Sequence, residues 1–241
     1  MRLPDFGFVT VYREPQADGI ALEAEWMERC GITGRATAHL WRAPVGFVVP
    51  RRYTKLPGWA APRDTWTGEV QERASGGGLV PQGPGLWNLS LVWPAPSALP
   101  VDISGIYLAL CDELAAVFAR LGLVATPQEV IGSFCDGRYN LAVNGRKLVG
   151  TAQAWKRLAG RPVVMAHAVI VVDADPAELT ARCNAFETAL GTTTRYTAEA
   201  LTSVAIETGD PQVEQRTLTA IASQFAHLVP PRVGVVPPSV S

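Results

Sequence analysis

One cysteine and one lysine, twelve positions apart, are the residues of this chain best suited by type and spacing to transfer an acyl group. Cys135 lies in a glycine-flanked segment that is typical of an exposed turn. Lys147 follows Asn144-Gly145, a dipeptide that strongly favours a tight hairpin. A thiolate can accept an acyl group covalently, and an ammonium group can hold or polarise the acyl carbonyl. The pair therefore indicates acyl-transfer chemistry.

Hairpin geometry also predicts the orientation of Lys147. Neighbouring residues of a strand point to opposite faces of a sheet, so if Arg146 faces solvent, Lys147 faces the interior. A buried ammonium group needs a ligand or a counter-charge. Most free cysteines are small buried hydrophobes, and three fit that description because they lie at apolar or mixed positions of predicted helices: Cys30, Cys111 and Cys183. We therefore predict one accessible thiol, in the loop.

A second segment, Arg73-Ala-Ser-Gly-Gly-Gly-Leu-Val, contains three consecutive glycines, Gly76 to Gly78. Backbone amides without Cβ atoms can approach a carbonyl oxygen, a carboxylate or a phosphate closely. A flexible surface loop is the alternative, and the glycines alone do not decide between the two. No Gly-Lys-Ser/Thr follows, so the segment is not a P-loop, and it is not a dinucleotide-binding G-x-G-x-x-G either.

The histidines and cysteines do not form a metal-binding pattern. His39 and His167 lie in apolar strands and are predicted to be hydrogen-bonded core residues, while His227 is near a helix end. The four cysteines contain no C-x-x-C pair. We therefore predict no metal site.

The composition is that of a protein with a substantial core and little net charge. The chain has 241 residues, of which 48% are hydrophobic and 18% charged, with a formal net charge of −1. This balance argues against a nucleic-acid binder. The beginning of the chain lacks the apolar segment of a signal peptide, and no apolar run is long enough to span a membrane. These features predict a cytoplasmic protein with reduced thiols.

Periodicity and turn residues predict an α+β fold, in which a mostly antiparallel or mixed sheet carries packed helices. Predicted strands are a broken pair within 38–50, Val70–Arg73, Leu86–Trp93, Tyr139–Val143, Lys147–Gln153 and Val163–Val172. Predicted helices are Gly19–Cys30, Ser104–Leu121, Pro176–Leu190, Thr197–Val204 and Pro211–Leu228, and residues 51–68 are predicted to form a loop. We expect one catalytic domain over residues 1–229, followed by a flexible proline-rich tail over residues 230–241.

At these motifs the chain resembles the lipoyl and octanoyl branch of the biotin/lipoate protein ligase superfamily. The resemblance covers roughly residues 20–205. It depends on the pairing of R-x-S-G-G-G at Arg73 with G-R-K-x-x-G-x-A-Q at Gly145, about 70 residues later, because either motif alone is weak. It implies the biotin/lipoate protein ligase fold and an apolar tunnel for the acyl chain. It also implies that the protein is a monomer.

The resemblance also implies roles for individual residues. Lys147 contacts the acyl carbonyl, and the segment Ser133-Phe-Cys-Asp-Gly-Arg-Tyr-Asn-Leu is similar to the octanoyl amidotransferase pattern in which the cysteine, here Cys135, is the nucleophile. The implied substrate-binding residues are Arg73, Ser75, Gly76, Gly77, Gly78, Asn88, Gly150 and Ala152.

Three functions follow from this resemblance. The first is an acyltransferase that moves octanoyl or lipoyl through a Cys135 thioester and needs no cofactor. The second is a lipoate ligase that uses ATP and Mg²⁺ and passes through lipoyl-AMP. The third is a non-catalytic lipoate- or acyl-binding protein. Pro81-Gln82 stands where many ligases have a histidine, and Glu72-Arg73 replaces their doubled arginine, which favours the transferase.

The partners implied are the lipoyl domains of 2-oxoacid dehydrogenase E2 subunits and the glycine-cleavage H protein. Acyl carrier protein is a further candidate donor. The sequence does not choose between these donors and the free acid, or between octanoyl and lipoyl.

Overall fold

The computed structural model describes residues 2–60, 68–74, 76–95 and 102–226, and within them the chain forms two β-sheets with α-helices packed on them. The α-helices of this part are α1 (Gly19–Thr33), α2 (Ile103–Arg120), α3 (Pro176–Ala189), α4 (Val204–Thr208) and α5 (Val213–Phe225). Its strands are β1 (Val9–Val11), β2 (Thr37–Trp41), β3 (Gly46–Pro50), β4 (Glu69–Arg73), β5 (Val80–Gln82), β6 (Leu86–Pro94), β7 (Thr126–Gln128), β8 (Asn140–Val143), β9 (Arg146–Leu158) and β10 (Arg161–Val171). No helix of the described part is long and apolar enough to cross a membrane.

The large sheet has seven strands in the order β1-β2-β6-β10-β9-β8-β7, and the small sheet has three in the order β4-β3-β5. Neighbouring strands are antiparallel except β1 with β2 and β3 with β4. Asn144 and Gly145 connect β8 to β9 with φ angles of 51° and 75°, as a type I′ hairpin turn requires. The predicted α+β class, with a mostly antiparallel sheet, is confirmed.

The two faces of the large sheet pack against different elements, because successive residues of each strand point to opposite sides. Helices α2 and α5 cover one face, where Ala166 and Ala168 of β10 join their cluster. Helix α1 covers part of the other face, which includes Met165, and the small sheet with α3 covers the part around Val169. The motif residues lie on this second face and at its edge.

Most predicted elements are confirmed, and two helix boundaries need correction. Helix α1 begins at Gly19 as predicted but continues past the predicted end at Cys30 to Thr33, and Gly34 caps it with φ 67°. Gly31 does not end the helix because it packs closely on β9, where an added Cβ would lie 2.6 Å from the Cβ of Leu158. At the other end of the chain, α5 begins at Val213 rather than at Pro211.

The helix predicted over Thr197–Val204 is wrong. Residues Ala198–Ala200 form a single 3-10 turn, and Leu201 then pairs with Lys147 in a parallel bridge. The backbone N–H of Thr202 donates to the carbonyl oxygen of Lys147 at 2.9 Å. This tertiary pairing holds the segment extended until Ser203 caps α4, so contact with β9 overrides the local helix preference.

Three other predictions have different outcomes. The two strands predicted within 38–50 both form, but as β2 and β3 they belong to different sheets. The predicted loop over 51–68 begins with a 3-10 helix, Arg51–Lys55. His227 and the tail over residues 230–241 lie outside the described residues, so the predicted domain boundary stays a prediction.

Candidate active site

Lys147 of β9 is fully buried and points into the protein, as the hairpin register predicts. Its Nζ donates to the carbonyl oxygen of Cys135 at 3.0 Å and also to that of Phe134, whose ring lies 4.5 Å from the same nitrogen. The neighbouring Arg146 is part-exposed and pairs with Glu207 at 2.7 Å. The ammonium group therefore finds its ligands in the backbone of the cysteine loop.

Burial lowers the pKa of Lys147 to about 8, and negative charge on Cys135 and on Asp136 acts in the opposite direction. No carboxylate lies within ion-pair distance of Nζ among the residues that the structure describes. A buried cation with two carbonyl ligands and no anionic partner is costly unless a substrate or a thiolate uses its charge.

Cys135 lies in the loop between β7 and β8 and is part-exposed, whereas Cys30, Cys111 and Cys183 are buried. This confirms the predicted difference between the cysteines. Its φ angle is 48°, an uncommon conformation for a residue with a side chain. Its carbonyl oxygen accepts from the backbone of Gly137 at 2.9 Å and from Nδ2 of Asn140 at 3.3 Å, in addition to Lys147. A strained backbone conformation that several hydrogen bonds hold in place is often found at functional sites.

The glycine segment lies directly against this cysteine. A Cβ added to Gly77 would lie 2.8 Å from Sγ of Cys135 and 3.0 Å from Nη2 of Arg73. A Cβ added to Gly78 would lie 3.4 Å from the backbone nitrogen of Cys135. The two segments that the sequence singled out therefore meet, and the thiol faces bare main chain. Ser75 lies outside the described residues.

The side chain of Arg73 is hydrogen-bonded to the backbone of the glycine segment. Its guanidinium donates to the carbonyl oxygens of Gly78 at 2.6 Å, Gly76 at 3.0 Å and Val48 at 3.0 Å. Burial lowers the pKa of Arg73, and negative charge on Cys135 favours its protonated form. Arg73 and Lys147 thus place two positive charges next to the residues that surround Cys135, Arg73 on the glycine segment and Lys147 on the cysteine loop.

Three more of the predicted residues lie on the same face of the large sheet. A Cβ added to Gly150 would lie 3.2 Å from Nζ of Lys147, so a small residue is needed there. Ala152 lies two positions further along β9, beside His167. Asn88 is fully buried and donates to Oε1 of Gln82 at 2.9 Å. The substrate-binding roles of these residues stay predictions.

A buried polar cluster on this face was missed by sequence reasoning. Oε1 of Glu23 accepts from Oγ of Ser90 at 2.7 Å and lies 2.7 Å from Nδ1 of His167. Nε1 of Trp41 donates to Ser90 at 3.0 Å. A usable signal was the alternation of Asn88 and Ser90 with apolar residues in β6, because polar residues facing inward need partners.

His39 is a core residue as predicted, and it is hydrogen-bonded through one of its two ring nitrogens. Its ring stacks on Trp26 with centroids 3.9 Å apart, and Nδ1 lies 3.4 Å from the hydroxyl of Tyr12. Nε2 is buried and has no hydrogen-bond partner among the described residues. Burial, with a smaller contribution from Arg29, lowers the pKa of His39 to about 4, so the ring is neutral at physiological pH.

The space between this face and the small sheet is nearly closed. The cavity there measures about 10 Å³ and is lined by residues including Trp41, Phe47 and Gln82. A cavity of this size holds about one water molecule. The apolar tunnel expected for an acyl chain is therefore not open at this cavity.

A strained, accessible thiol, a buried ammonium and a bare glycine backbone on a mixed sheet define an acyl-transfer enzyme of the lipoate-ligase type. Residues 60–225 match the family model described as the lipoyl protein ligase A/B catalytic domain. The chain belongs to this family. The resemblance seen in the sequence is thereby confirmed.

The chain is similar to two relatives over most of its length, and solved structures share its fold. The chain is 39% identical to an uncharacterised protein of Cupriavidus necator over 83% of this chain and 85% of that one. It is 35% identical to an octanoyl-GcvH:protein N-octanoyltransferase of Kyrpidia tusciae over 90% of this chain and 70% of the relative. A crystal structure of lipoate-protein ligase A bound with ATP shares the fold, with a TM-score of 0.69 and 17% identity over 92% of this chain and 85% of the other. A putative lipoate protein ligase from T. acidophilum does so with a TM-score of 0.67 and 18% identity over the same shares.

Proposed function

We propose that this enzyme transfers an octanoyl or lipoyl group, through a thioester on Cys135, to the acceptor lysine of a lipoyl domain. One observation carries the proposal. The sulfur of Cys135 lies against the backbone of Gly77, and Nζ of Lys147 lies 3.0 Å from the carbonyl oxygen of the same cysteine. The glycine backbone thus borders the sulfur of Cys135, and the cation binds the carbonyl oxygen of the same residue.

The first half of the reaction would load the cysteine. The thiol of Cys135 gives its proton to solvent, and the thiolate attacks the carbonyl carbon of the donor. The bond from that carbon to the donor's nitrogen or sulfur breaks, and the leaving amine or thiol takes up a proton from solvent. Lys147 would exchange one backbone carbonyl for the acyl oxygen and stabilise the negative charge that develops on it. Arg73 would hold the glycine segment against the acyl group through its three carbonyl contacts.

The second half would release the acyl group as an amide. The neutral amine of a lysine on a lipoyl domain attacks the thioester, the C–S bond breaks, and the thiolate is restored. The proton that the nitrogen loses passes to solvent or to this thiolate. Because a thioester lies above an amide in free energy, this half needs no ATP. The name of the Kyrpidia relative supports GcvH as the octanoyl donor and other lipoyl domains as acceptors.

A second candidate is an ATP-dependent lipoate ligase, because structures of this fold include a lipoate-protein ligase A bound with ATP. In that case ATP and Mg²⁺ would activate the free acid as lipoyl-AMP, and Cys135 would be a bystander. Gln82, at the position where many ligases have a histidine, is instead paired with the buried Asn88, which favours the transferase.

Intact mass spectrometry separates these functions. The protein is incubated with octanoylated GcvH, with octanoyl acyl carrier protein, or with ATP plus lipoate, and a lipoyl domain is added afterwards. We expect an octanoyl adduct on wild type and on the matched control Cys183→Ala, since Cys183 is buried, and no adduct on Cys135→Ala. Full transfer by Cys135→Ala would exclude the thioester. Pyrophosphate release with lipoate would favour the ligase, and ligand binding without transfer would favour a binding protein.

A further inference from the structure

A short segment, residues 197–202, connects the cysteine loop to the strand that carries Lys147. At its beginning the backbone N–H of Thr197 donates to the carbonyl oxygen of Gly132, in the cysteine loop, at 2.9 Å. At its end the backbone N–H of Thr202 donates to the carbonyl oxygen of Lys147 at 2.9 Å, and Leu201 pairs with Lys147 in a parallel bridge. The segment is therefore bonded to the main chain of both parts of the candidate site.

Glu207 of α4 holds the end of this segment. Its Oε1 accepts from Oγ1 of Thr202 at 2.7 Å and from Nη2 of Arg146 at 2.7 Å, and its Oε2 accepts from Nδ2 of Asn144 at 3.4 Å. Arg146 directly precedes Lys147 in β9, and Thr202 is the backbone partner of Lys147. One carboxylate thus joins the residue before Lys147 to the residue that is hydrogen-bonded to its carbonyl oxygen.

The contacts of this carboxylate are strong ones. The side chain of Glu207 is only 7% exposed, so water screens its ion pair with Arg146 less than at an open surface. Hydrogen bonds in which one partner is charged are roughly twice as strong as neutral ones. Removing the carboxylate would leave the hydroxyl of Thr202 and the guanidinium of Arg146 without this shared acceptor, and the two backbones would no longer be joined through it.

Helix α4 gives Glu207 a fixed position. The helix has five residues, and a helix this short does not form in isolation. Tertiary contacts hold it instead: Val204 is fully buried, and the backbone N–H of Ala205 donates to the carbonyl oxygen of Val172, just after β10, at 2.8 Å. Glu207 therefore presents its carboxylate from an element that is anchored to the large sheet.

We propose that Glu207 is a positioning residue for acyl transfer and that it acts through Lys147. By binding Arg146 and Thr202 it fixes the backbone of Lys147, and with it the place of Nζ against the cysteine loop. Glu207 itself exchanges no proton and contacts no acyl group. The inference rests on the proposed function, in which Lys147 stabilises the charge on the acyl oxygen, because a charge displaced by about 1 Å can lose about 100-fold in rate.

A double-mutant cycle tests this route. In Glu207→Ala we expect octanoyl transfer to a lipoyl domain to slow by about 10-fold to 100-fold, with the KM for the lipoyl domain unchanged. The same substitution in the Lys147→Met background should slow transfer no further, since independent effects would multiply. Glu199→Ala is the matched control, because Glu199 lies in the same segment and is exposed, and it should match wild type.

Chemical rescue provides a readout that a general loss of stability would not change. Glu207 lines a cavity of about 280 Å³, together with Thr208, Asp210 and Arg216, so a small carboxylate can reach the space that Glu207→Ala leaves empty. We expect acetate to restore part of the lost rate and acetamide, which has the same shape without the charge, to restore none. Glu207→Gln, which keeps an acceptor oxygen, should lie between Glu207→Ala and wild type.

Amide hydrogen exchange tests the contact independently of the reaction. The N–H of Thr202 should exchange faster in Glu207→Ala than in wild type, and if that variant does not fold, Glu207→Gln takes its place in both experiments. Unchanged exchange at Thr202 would overturn the inference, as would equal slowing of transfer with and without Lys147. Full transfer by Cys135→Ala would instead remove the proposed thioester, and the cycle between Glu207 and Lys147 would still be measured.

Discussion

The ammonium nitrogen of Lys147 lies 3.0 Å from the carbonyl oxygen of Cys135, the residue whose sulfur faces the glycine segment. The lysine thus binds the main chain of the cysteine loop. One side chain both holds the loop in its strained conformation, with φ 48° at Cys135, and supplies positive charge.

Replacing Lys147 should reduce activity and yet stabilise the protein at neutral pH. In Lys147→Met we expect acyl transfer to fall about 100-fold or more, as when one oxyanion ligand is removed. The folded protein lowers the pKa of this lysine from 10.5 to about 8. The charged form of Lys147 therefore destabilises the folded protein. This destabilisation is complete below pH 8 and is absent above pH 10.5.

The size of this effect follows from the pKa shift. Lys147→Met should raise the free energy of unfolding at pH 7 by up to about 3 kcal/mol. The gain is reduced because the carbonyl oxygens of Phe134 and Cys135 lose the hydrogen bonds that Nζ donates. Urea unfolding of both proteins at pH 7 and at pH 10.5 measures this, and the advantage should shrink at the higher pH. A variant less stable than wild type at pH 7 and equally so at pH 10.5 would contradict the prediction.

Gly77 and Gly76 form a matched pair. Gly77 has φ 96° and an added Cβ would lie 2.8 Å from Sγ of Cys135, whereas an added Cβ at Gly76 meets nothing within 4 Å. We expect Gly77→Ala to cost about 1–3 kcal/mol of stability and to slow both acyl transfer and alkylation of Cys135 by iodoacetamide. Gly76→Ala should resemble wild type in both assays. If the two variants had equal stability and equal rates of acyl transfer and alkylation, the contact between Gly77 and the thiol of Cys135 would not matter for either property.

His39 should make the protein sensitive to acid. Its pKa falls from 6.5 in the unfolded chain to about 4 in the fold, so protonation favours unfolding. Above pH 6.5 the ring of His39 does not reduce the free energy of unfolding. As the pH falls towards 4, this free energy decreases progressively, by up to about 3 kcal/mol. His39→Asn should flatten this dependence, measured as the difference between urea midpoints at pH 7.5 and pH 4.5. An identical slope in the variant would contradict the prediction.

The carboxylate of Glu187 in α3 is fully buried and is held by hydroxyl groups. Oε1 accepts from Tyr53 at 2.7 Å and from Tyr196 at 2.8 Å, and Oε2 accepts from Thr192 at 2.6 Å. Tyr53 belongs to the 3-10 helix Arg51–Lys55 that follows β3, so this contact ties the small sheet to α3.

Removing either phenol should destabilise the protein, because hydrogen bonds to a buried charge are strong. We expect Tyr53→Phe and Tyr196→Phe each to cost about 1.5–3 kcal/mol in urea unfolding. The double variant should depart from the sum of the two, since both phenols share one oxygen. If each single variant lost less than about 0.5 kcal/mol of unfolding free energy and the two losses simply added in the double variant, the two phenols would not hold Glu187 through strong hydrogen bonds.

The sequence by itself determined the local features of this site. Asn144-Gly145 set the hairpin, and the hairpin register turned Lys147 inward and Arg146 outward, because side chains alternate along a strand. Asp18 and Asp175 precede α1 and α3, and their side chains accept from the backbone N–H groups of Ala21 and Ala177, a capping contact that depends only on neighbouring residues. The glycines around Cys135 marked a loop, since such turns depend on a few neighbouring residues.

The tertiary structure decided everything that depends on distant segments meeting. Only the fold shows that Gly77 touches Cys135, that Arg73 binds the carbonyls of the glycine segment, and that residues 201–203 are extended. Glu23 and His167 are 144 positions apart, and their side chains meet at 2.7 Å. Local patterns cannot supply such contacts, because they arise where whole elements pack, and the energy of that packing exceeds the preferences of short segments.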